Sequence, residues 1–189
     1  DWYEQTVLRR LWRFDKTAFT SPRFWDHMSM VSEPALEMIQ AALAPCIRRE
    51  FGLDAEVLLY DTTNFFTFLS TANDRCTVAQ RGHSKAKRHD LRQVGLALLV
   101  TREFQVPLFH KVYEGNMPDV SLFPKLVQEL IAHHRRLDAQ TRATLVFDKG
   151  NVSEDAMEQL VLARQPFIAA VPLDRLPPLA ATPLEQFQE

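Results

Sequence analysis

Two aspartates stand where strand-like runs give way to polar residues. Asp61 follows Val57-Leu58-Leu59-Tyr60, and Asp148 follows Leu145-Val146-Phe147. The run after Asp61, Thr62-Thr63-Asn64-Phe65-Phe66, stays in residue types that mostly favour strands, so Asp61 is expected to be a carboxylate within a buried strand. Such a charge is costly unless something offsets it. Two carboxylates brought side by side repel, and a hard divalent cation with oxygen ligands, such as magnesium, relieves that repulsion. Two such ions about 3.5–4 Å apart can hold the attacking and the leaving oxygen of a phosphodiester exchange. The alternative is local: each aspartate serves its own loop, and Asp148 before Lys149-Gly150 is a good turn former.

A second chemical signal is basic. Arg81 to Gln93, RGHSKAKRHDLRQ, holds Arg81, Lys85, Lys87, Arg88 and Arg92 against one acid, Asp90, with His83 and His89 among them. Lys and Arg in such a loop would neutralise a phosphate backbone without reading bases; a solvated charged loop is the plainer explanation. Lys149 and Asn151 follow the second aspartate and suit either phosphate contact or a turn, with Asn151 or Ser153 capping the next helix. His133-His134-Arg135-Arg136 fits a helix C-terminus, where positive groups complement the dipole. Asp119 fits a helix cap and His110 a half-buried strand position. Phe65, Phe66 and Phe68 fit sheet packing.

The elements that must position these residues follow from periodicity. Val7, Leu8, Leu11, Trp12 and Phe14 make one apolar face, and a short helix is expected over 23–30. Leu36, Ile39, Leu43, Ile47 and Phe51 recur at helical spacing after Ser32, a cap candidate. Pro45 is expected to kink that helix and Gly52 to end it. Strands are then expected near 57–62, 94–101 and 106–114, the second buried on both faces. A helix beginning at Asp119, a strand over 143–147, a helix over 153–163 and a strand over 166–171 follow. Three strands in a meander and then alternating helix and strand is an α/β pattern, and its order matches a ribonuclease H-like mixed sheet flanked by helices. In that arrangement the first and fourth strands are neighbours, which places Asp61 beside Asp148. Residues 1–53 read as an N-terminal helical segment, 54–172 as the core and 173–189, rich in proline, as a linker.

Composition sets the outer bounds. The chain has 189 residues, 46% hydrophobic and 24% charged, with a formal net charge of -2. That is ordinary for a globular domain, and any nucleic-acid affinity must come from local basic patches. Cys46 and Cys76 stand far apart without ligand-spaced partners, which argues against a structural zinc site and a disulfide scaffold and suits the cytoplasm. No apolar run reaches membrane-span length.

Several segments together resemble insertion-sequence transposases of the DDE type: LLYDTTNFFTF, RGHSKAKRHDLRQVGLALLVT, PLFHKVYEGNMPD and LVFDKGNVSEDAM. The resemblance covers about Leu53 to Val171 and is most similar to the branch with a large insertion late in the catalytic domain. It implies a ribonuclease H-like core that cleaves DNA with Mg2+ or Mn2+ and then joins the freed 3′ hydroxyl to target DNA. By the same resemblance Asp61 and Asp148 are the first two catalytic, metal-holding acids. The basic loop would lie along transposon-end DNA. The implied partners are double-stranded transposon ends and target, with self-association on DNA, in the nucleoid-associated cytoplasm of a bacterium. The family's third acid, a Glu on a later helix, has no counterpart here, since Glu185 and Glu189 follow the last strand too closely. The chain, which starts at Asp1 without Met, therefore reads as a piece of a longer protein and alone as a poor catalyst. A ribonuclease H-like nuclease that cuts without joining, and a non-catalytic DNA-binding remnant of a transposase, are the alternatives.

Overall fold

The computed structural model describes residues 2–15, 19–70, 72–82, 88–137, 143–170, 181–183 and 186. The chain divides into two compact units, Asp1–Gln40 and Ala41–Glu189. The first holds short helices, α1 (Trp2–Gln5), α2 (Leu8–Leu11) and α3 (Ser21–Ser29), and the start of α4 (Glu33–Phe51). Tyr3, Phe14, Phe19 and Phe24 form a run of ring contacts there. Ser32 caps α4 as expected, its Oγ accepting from Ala35 N–H at 3.4 Å. The helix runs on through Pro45. Gly52 ends it at φ +59°, with Leu53 N–H donating to Arg48 O at 2.9 Å; only glycine adopts that conformation freely.

The second unit is built on five strands: β1 (Val57–Thr67), β2 (Arg92–Thr101), β3 (Pro107–Glu114), β4 (Thr144–Phe147) and β5 (Phe167–Ala169). Their order is β3-β2-β1-β4-β5. β1, β2 and β3 pair antiparallel, whereas β4 is parallel to both β1 and β5. This is the ribonuclease H-like mixed sheet expected from the element order. Helix α5 (Asp119–Leu137) links β3 to β4, and α6 (Glu154–Leu162) links β4 to β5.

One face of the sheet carries the core. Leu58, Tyr60 and Thr62 of β1, Ala97 and Leu99 of β2, and Leu145 and Phe147 of β4 are buried. Phe123 of α5 packs between Tyr60 and Phe147, at ring-centroid distances of 4.7 and 4.5 Å. Burying each of these large side chains contributes about 1.5–3 kcal/mol. Leu130 and Val127 of α5 and Leu160 of α6 complete the cluster.

The other face is open. The alternate residues Val57, Leu59, Val94, Leu96, Leu98 and Val100 are half-buried, and Asp61, Phe65, Val112 and Ile168 are exposed. Two expectations are thereby corrected. β2 is buried on one face only, and Asp61 is not a buried acid, because odd-numbered residues of β1 lie on the open side. Phe65 and Phe68 are exposed rather than packed, and so is His110. His133 and His134 stand in the last turns of α5, as expected, and are buried, with His133 against the Phe109 ring at 5.2 Å.

Candidate active site

The strand register brings the two aspartates together. Tyr60 pairs with Phe147 across the parallel β1–β4 ladder, and each aspartate is the next residue in its chain. Tyr60 and Phe147 both face the core, so Asp61 and Asp148 both turn to the open face. Neighbouring strands lie about 4.8 Å apart, which sets the scale of their separation. Both are exposed.

Both carboxylates are oriented by the same local device. Asp61 Oδ1 accepts from Thr62 N–H at 2.7 Å, and Asp148 Oδ1 accepts from Lys149 N–H at 2.5 Å. The cause is visible in the ladder. Thr144 N–H donates to Glu56 O, so the even-numbered peptide groups of β1 face β4. Pairing with β4 stops at Phe147. The Thr62 N–H is the next donor along that edge, and the aspartate beside it takes the bond that β4 no longer supplies. At Asp148 the chain leaves the strand into a 3-10 turn, Lys149–Asn151, which Asp148 caps. Turn-former and paired acid are therefore compatible roles for one residue.

In each aspartate the second oxygen, Oδ2, has no hydrogen-bond partner among the described residues, and both residues are exposed. Two exposed carboxylate oxygens on adjacent strands suit a hard cation, and magnesium is usually held by one or two carboxylates together with phosphate oxygens and water. No group of three His, Cys, Asp or Glu is arranged around a metal-sized space among the described residues.

Behind the pair, on the core side, lie two tyrosines. The Tyr60 hydroxyl is buried without a partner among the described residues. Burial raises its pKa above the ordinary range, and the charges of Tyr113, Asp119 and Asp61 add to the rise. Tyr113 donates to Asp119 Oδ1 at 2.8 Å. Its pKa is raised first by burial and then by that bond. The Tyr113 ring lies flat on Gly95 of β2, where a Cβ would stand 2.2 Å from ring carbon Cζ. Asp119, expected as a cap, heads α5 and also receives this bond. Neither tyrosine was singled out from sequence; the signal for Tyr113 is a glycine inside an otherwise apolar strand, which marks a close approach.

The basic residues lie elsewhere along the sheet. Arg92 pairs with Thr67, six residues beyond Asp61 and about 20 Å away along the strand. Its Nη1 donates to Asn73 O at 2.7 Å. Arg81 and Arg88 are exposed, and Arg88 grips Asp90 with two bonds of 2.8 Å. Lys85, Lys87 and His83 fall outside the described residues. Before them the connection is tied down. Gln80 exchanges two backbone bonds with Gln93, and Gly115 N–H donates to Val78 O. Gly82 is so close to the β3–α5 corner that a Cβ would come within 2.3 Å of Gly115 O. Lys149 is exposed beside Asp148. Asn151 is buried rather than capping, and Ser153 caps α6, its Oγ accepting from Ala156 N–H at 3.2 Å.

No protein-family model matches the chain, and no curated protein matches its sequence. Among solved structures it is similar to a Mos1 transposase paired-end complex with left transposon end, at 7% identity and a TM-score of 0.42 over 68% of this chain and 39% of that one. It is also similar to the catalytic domain of Mos1 mariner transposase, at 9% identity and a TM-score of 0.38, over 70% of this chain and 57% of that one. A piggyBac transposase synaptic complex with hairpin DNA matches at 14% identity and 0.47, over 71% and 27%. The chain thus spans less than two thirds of each of these proteins. The likeness concerns the course of the backbone. No helix among the described residues is long and apolar enough to cross a membrane.

Proposed function

We propose that this chain is the core of a DDE-type transposase, acting on double-stranded DNA at transposon ends and target. The observation that carries the reading is the in-register pair Asp61 and Asp148 at the open face, where β4 stops and β1 continues. Asp61 and Asp148 would hold Mg2+ or Mn2+ through their solvent-facing oxygens. When bound, that cation supplies a counter-charge for the phosphodiester under attack. The Thr62 and Lys149 amides fix the orientation of the two carboxylates. Lys149, Arg81, Lys85, Lys87, Arg88 and Arg92 would contact phosphates and set register without reading sequence. Self-association on DNA completes the proposal. Its setting is the nucleoid-associated cytoplasm of a bacterium.

The test has two stages. In the 189-residue chain, Mn2+ should broaden the amide resonances of 61–62 and 148–149 first, and Asp61→Asn or Asp148→Asn should remove the effect. In the complete protein either substitution should abolish strand cleavage and spare DNA binding. Cleavage retained in either variant removes that residue from the site. Nicking without joined product in a strand-transfer assay would favour a nuclease over a transposase.

A further inference from the structure

Where β3 ends, a different segment takes its place beside β2. The pairs that join β2 to β3 stop at Val94 and Glu114. Gln93, the next residue of β2, pairs instead with Gln80. Gln80 N–H donates to Gln93 O at 3.0 Å, and Gln93 N–H donates to Gln80 O at 2.8 Å. The Gln93 side chain, 1% exposed, reaches the corner between β3 and α5, its Nε2 donating to Gly115 O at 2.7 Å. Gly115 N–H closes the circuit on Val78 O at 3.1 Å. One glutamine thus ties together the start of β2, the connection 78–82 and the corner. An aliphatic residue of similar size would leave Gly115 O without that bond. Two glycines let the three backbones meet. A Cβ on Gly115 would stand 1.9 Å from Gln93 O, and one on Gly82 would stand 2.3 Å from Gly115 O and 2.8 Å from Asn116 Cα. These are backbone atoms, which cannot turn aside as the end of a side chain can.

Arg81 stands between two pinned residues, Gln80 and Gly82, and is exposed. The bridge makes Arg81 and Arg92 the next residues along their two segments, and Arg92 turns its Nη1 to Asn73 O at 2.7 Å. We infer, on the reading of the chain as a transposase core acting on duplex DNA, that Gln93, Gly82 and Gly115 form a clamp that fixes the backbone of Arg81 for contact with a DNA phosphate. The three are positioning residues and act through Arg81. A cation on a backbone that is already fixed loses less freedom on binding than one that must first be ordered. Gln93 also pairs with Phe66 of β1, five residues beyond Asp61 and about 17 Å along the strand. That is about five base pairs of B-DNA, so one duplex can span the aspartate pair and the clamp.

Gly82→Ala tests the clamp, because it strains the corner and keeps every charge. Affinity of the 189-residue chain for a short DNA duplex is measured over a series of salt concentrations. The steepness of log K against log salt counts the phosphates engaged, at about 0.9 per contact. Arg81→Gln should lower it by about 0.9. Gly82→Ala and Gln93→Leu should lower it by the same amount and speed amide hydrogen exchange at Gln80 and Gly115. In an Arg81→Gln background Gly82→Ala should lower it no further, since the contact is already gone. Val127→Ala, in the core away from the clamp, should lower stability and leave the steepness unchanged. The clamp is overturned by unchanged steepness or unchanged amide exchange in Gly82→Ala and Gln93→Leu, by a second loss in the double variant, or by the same loss in Val127→Ala. Unchanged steepness in Arg81→Gln overturns the contact itself. If the wild-type chain shows no salt-dependent affinity for the duplex, the DNA reading falls and the role of Arg81 with it. If Arg81→Gln lowers the steepness and Gly82→Ala does not, the DNA reading stands and only the clamp is removed.

Discussion

Gly95→Ala should be far more damaging than a methyl group in a strand ordinarily is. In most strands the change is favourable, by about 0.5–1 kcal/mol, because alanine loses less backbone entropy. Here the new Cβ would stand 2.2, 2.3 and 2.6 Å from three ring carbons of Tyr113, where ordinary contact begins near 3.5 Å. The ring must move by more than an ångström, and the 2.8 Å bond from its hydroxyl to Asp119 does not survive that. Overpacking of this kind costs about 1–3 kcal/mol, and a hydrogen bond to a charged group contributes about 1.5–3 kcal/mol. A loss of roughly 3–5 kcal/mol is expected on those figures. The attribution to Tyr113 is checked by a double-mutant cycle with Tyr113→Val, which withdraws the ring. Equilibrium urea unfolding of the four chains, followed by far-UV circular dichroism, gives the four free energies. In the Tyr113→Val background Gly95→Ala should be nearly neutral, so the coupling should equal the single-mutant loss, roughly 3–5 kcal/mol. Additivity within about 0.5 kcal/mol would refute the reasoning.

Two other outcomes are accessible in the same chain. The β2–β3 turn places Phe104 and Gln105 at φ 60° and 46°, a pair of left-handed positions that Asn-Gly fills without strain; Phe104→Asn with Gln105→Gly should raise the urea midpoint by a gain of about 1–2 kcal/mol, and an unchanged midpoint would mean that the turn is not strained. Asp90 is held by Arg88 well below its ordinary value of 3.8, at about 2. Its carboxylate is the form favoured by folding, so the pair's contribution is fully present above about pH 4 and lost as pH falls through 2. An NMR titration of the Asp90 carboxyl should find that midpoint and see it return toward 3.8 in Arg88→Gln; a midpoint near 4 in the native chain would show that the pair does not persist in solution.

The order of elements was legible because each carries its own signal: helical spacing after Ser32, the apolar runs before Asp61 and Asp148, and glycines or caps between them. The burial of β1 and β2 was not. Val94 to Val100 is apolar at every position but Gly95, and a run without alternation does not reveal which face meets a helix. The five strands, with Phe123 of α5 packed on Tyr60 of β1, resolve what periodicity could not. The burial of His133 and His134 was not legible for a related reason. A charged cluster at a helix end looks solvated until the neighbouring Phe109 is placed against it. The bond from Tyr113 to Asp119 joins β3 to α5, and only Gly95 hinted at it.

The corrected exposure of Asp61 bears on how a cation could be held there. A buried pair of carboxylates would need its counter-charge built into the fold, since desolvating two unpaired anions costs several kcal/mol. An exposed pair has no such requirement: water solvates both when nothing is bound, and on the proposed reading a cation arriving with a phosphate would displace that water from the open face. What the fold must supply is orientation, and the ladder supplies it at little cost. Where β4 stops pairing, one donor of β1 is released on the edge beside Asp61, and the turn after Phe147 releases another beside Asp148. Each is taken up by the neighbouring carboxylate through a single oxygen, which leaves the other free. Extending the ladder by one residue would consume the Thr62 N–H in a strand bond and leave Asp61 Oδ1 without its partner. On the proposed reading the strand end would therefore be part of the site, as much as the two acids it brings together.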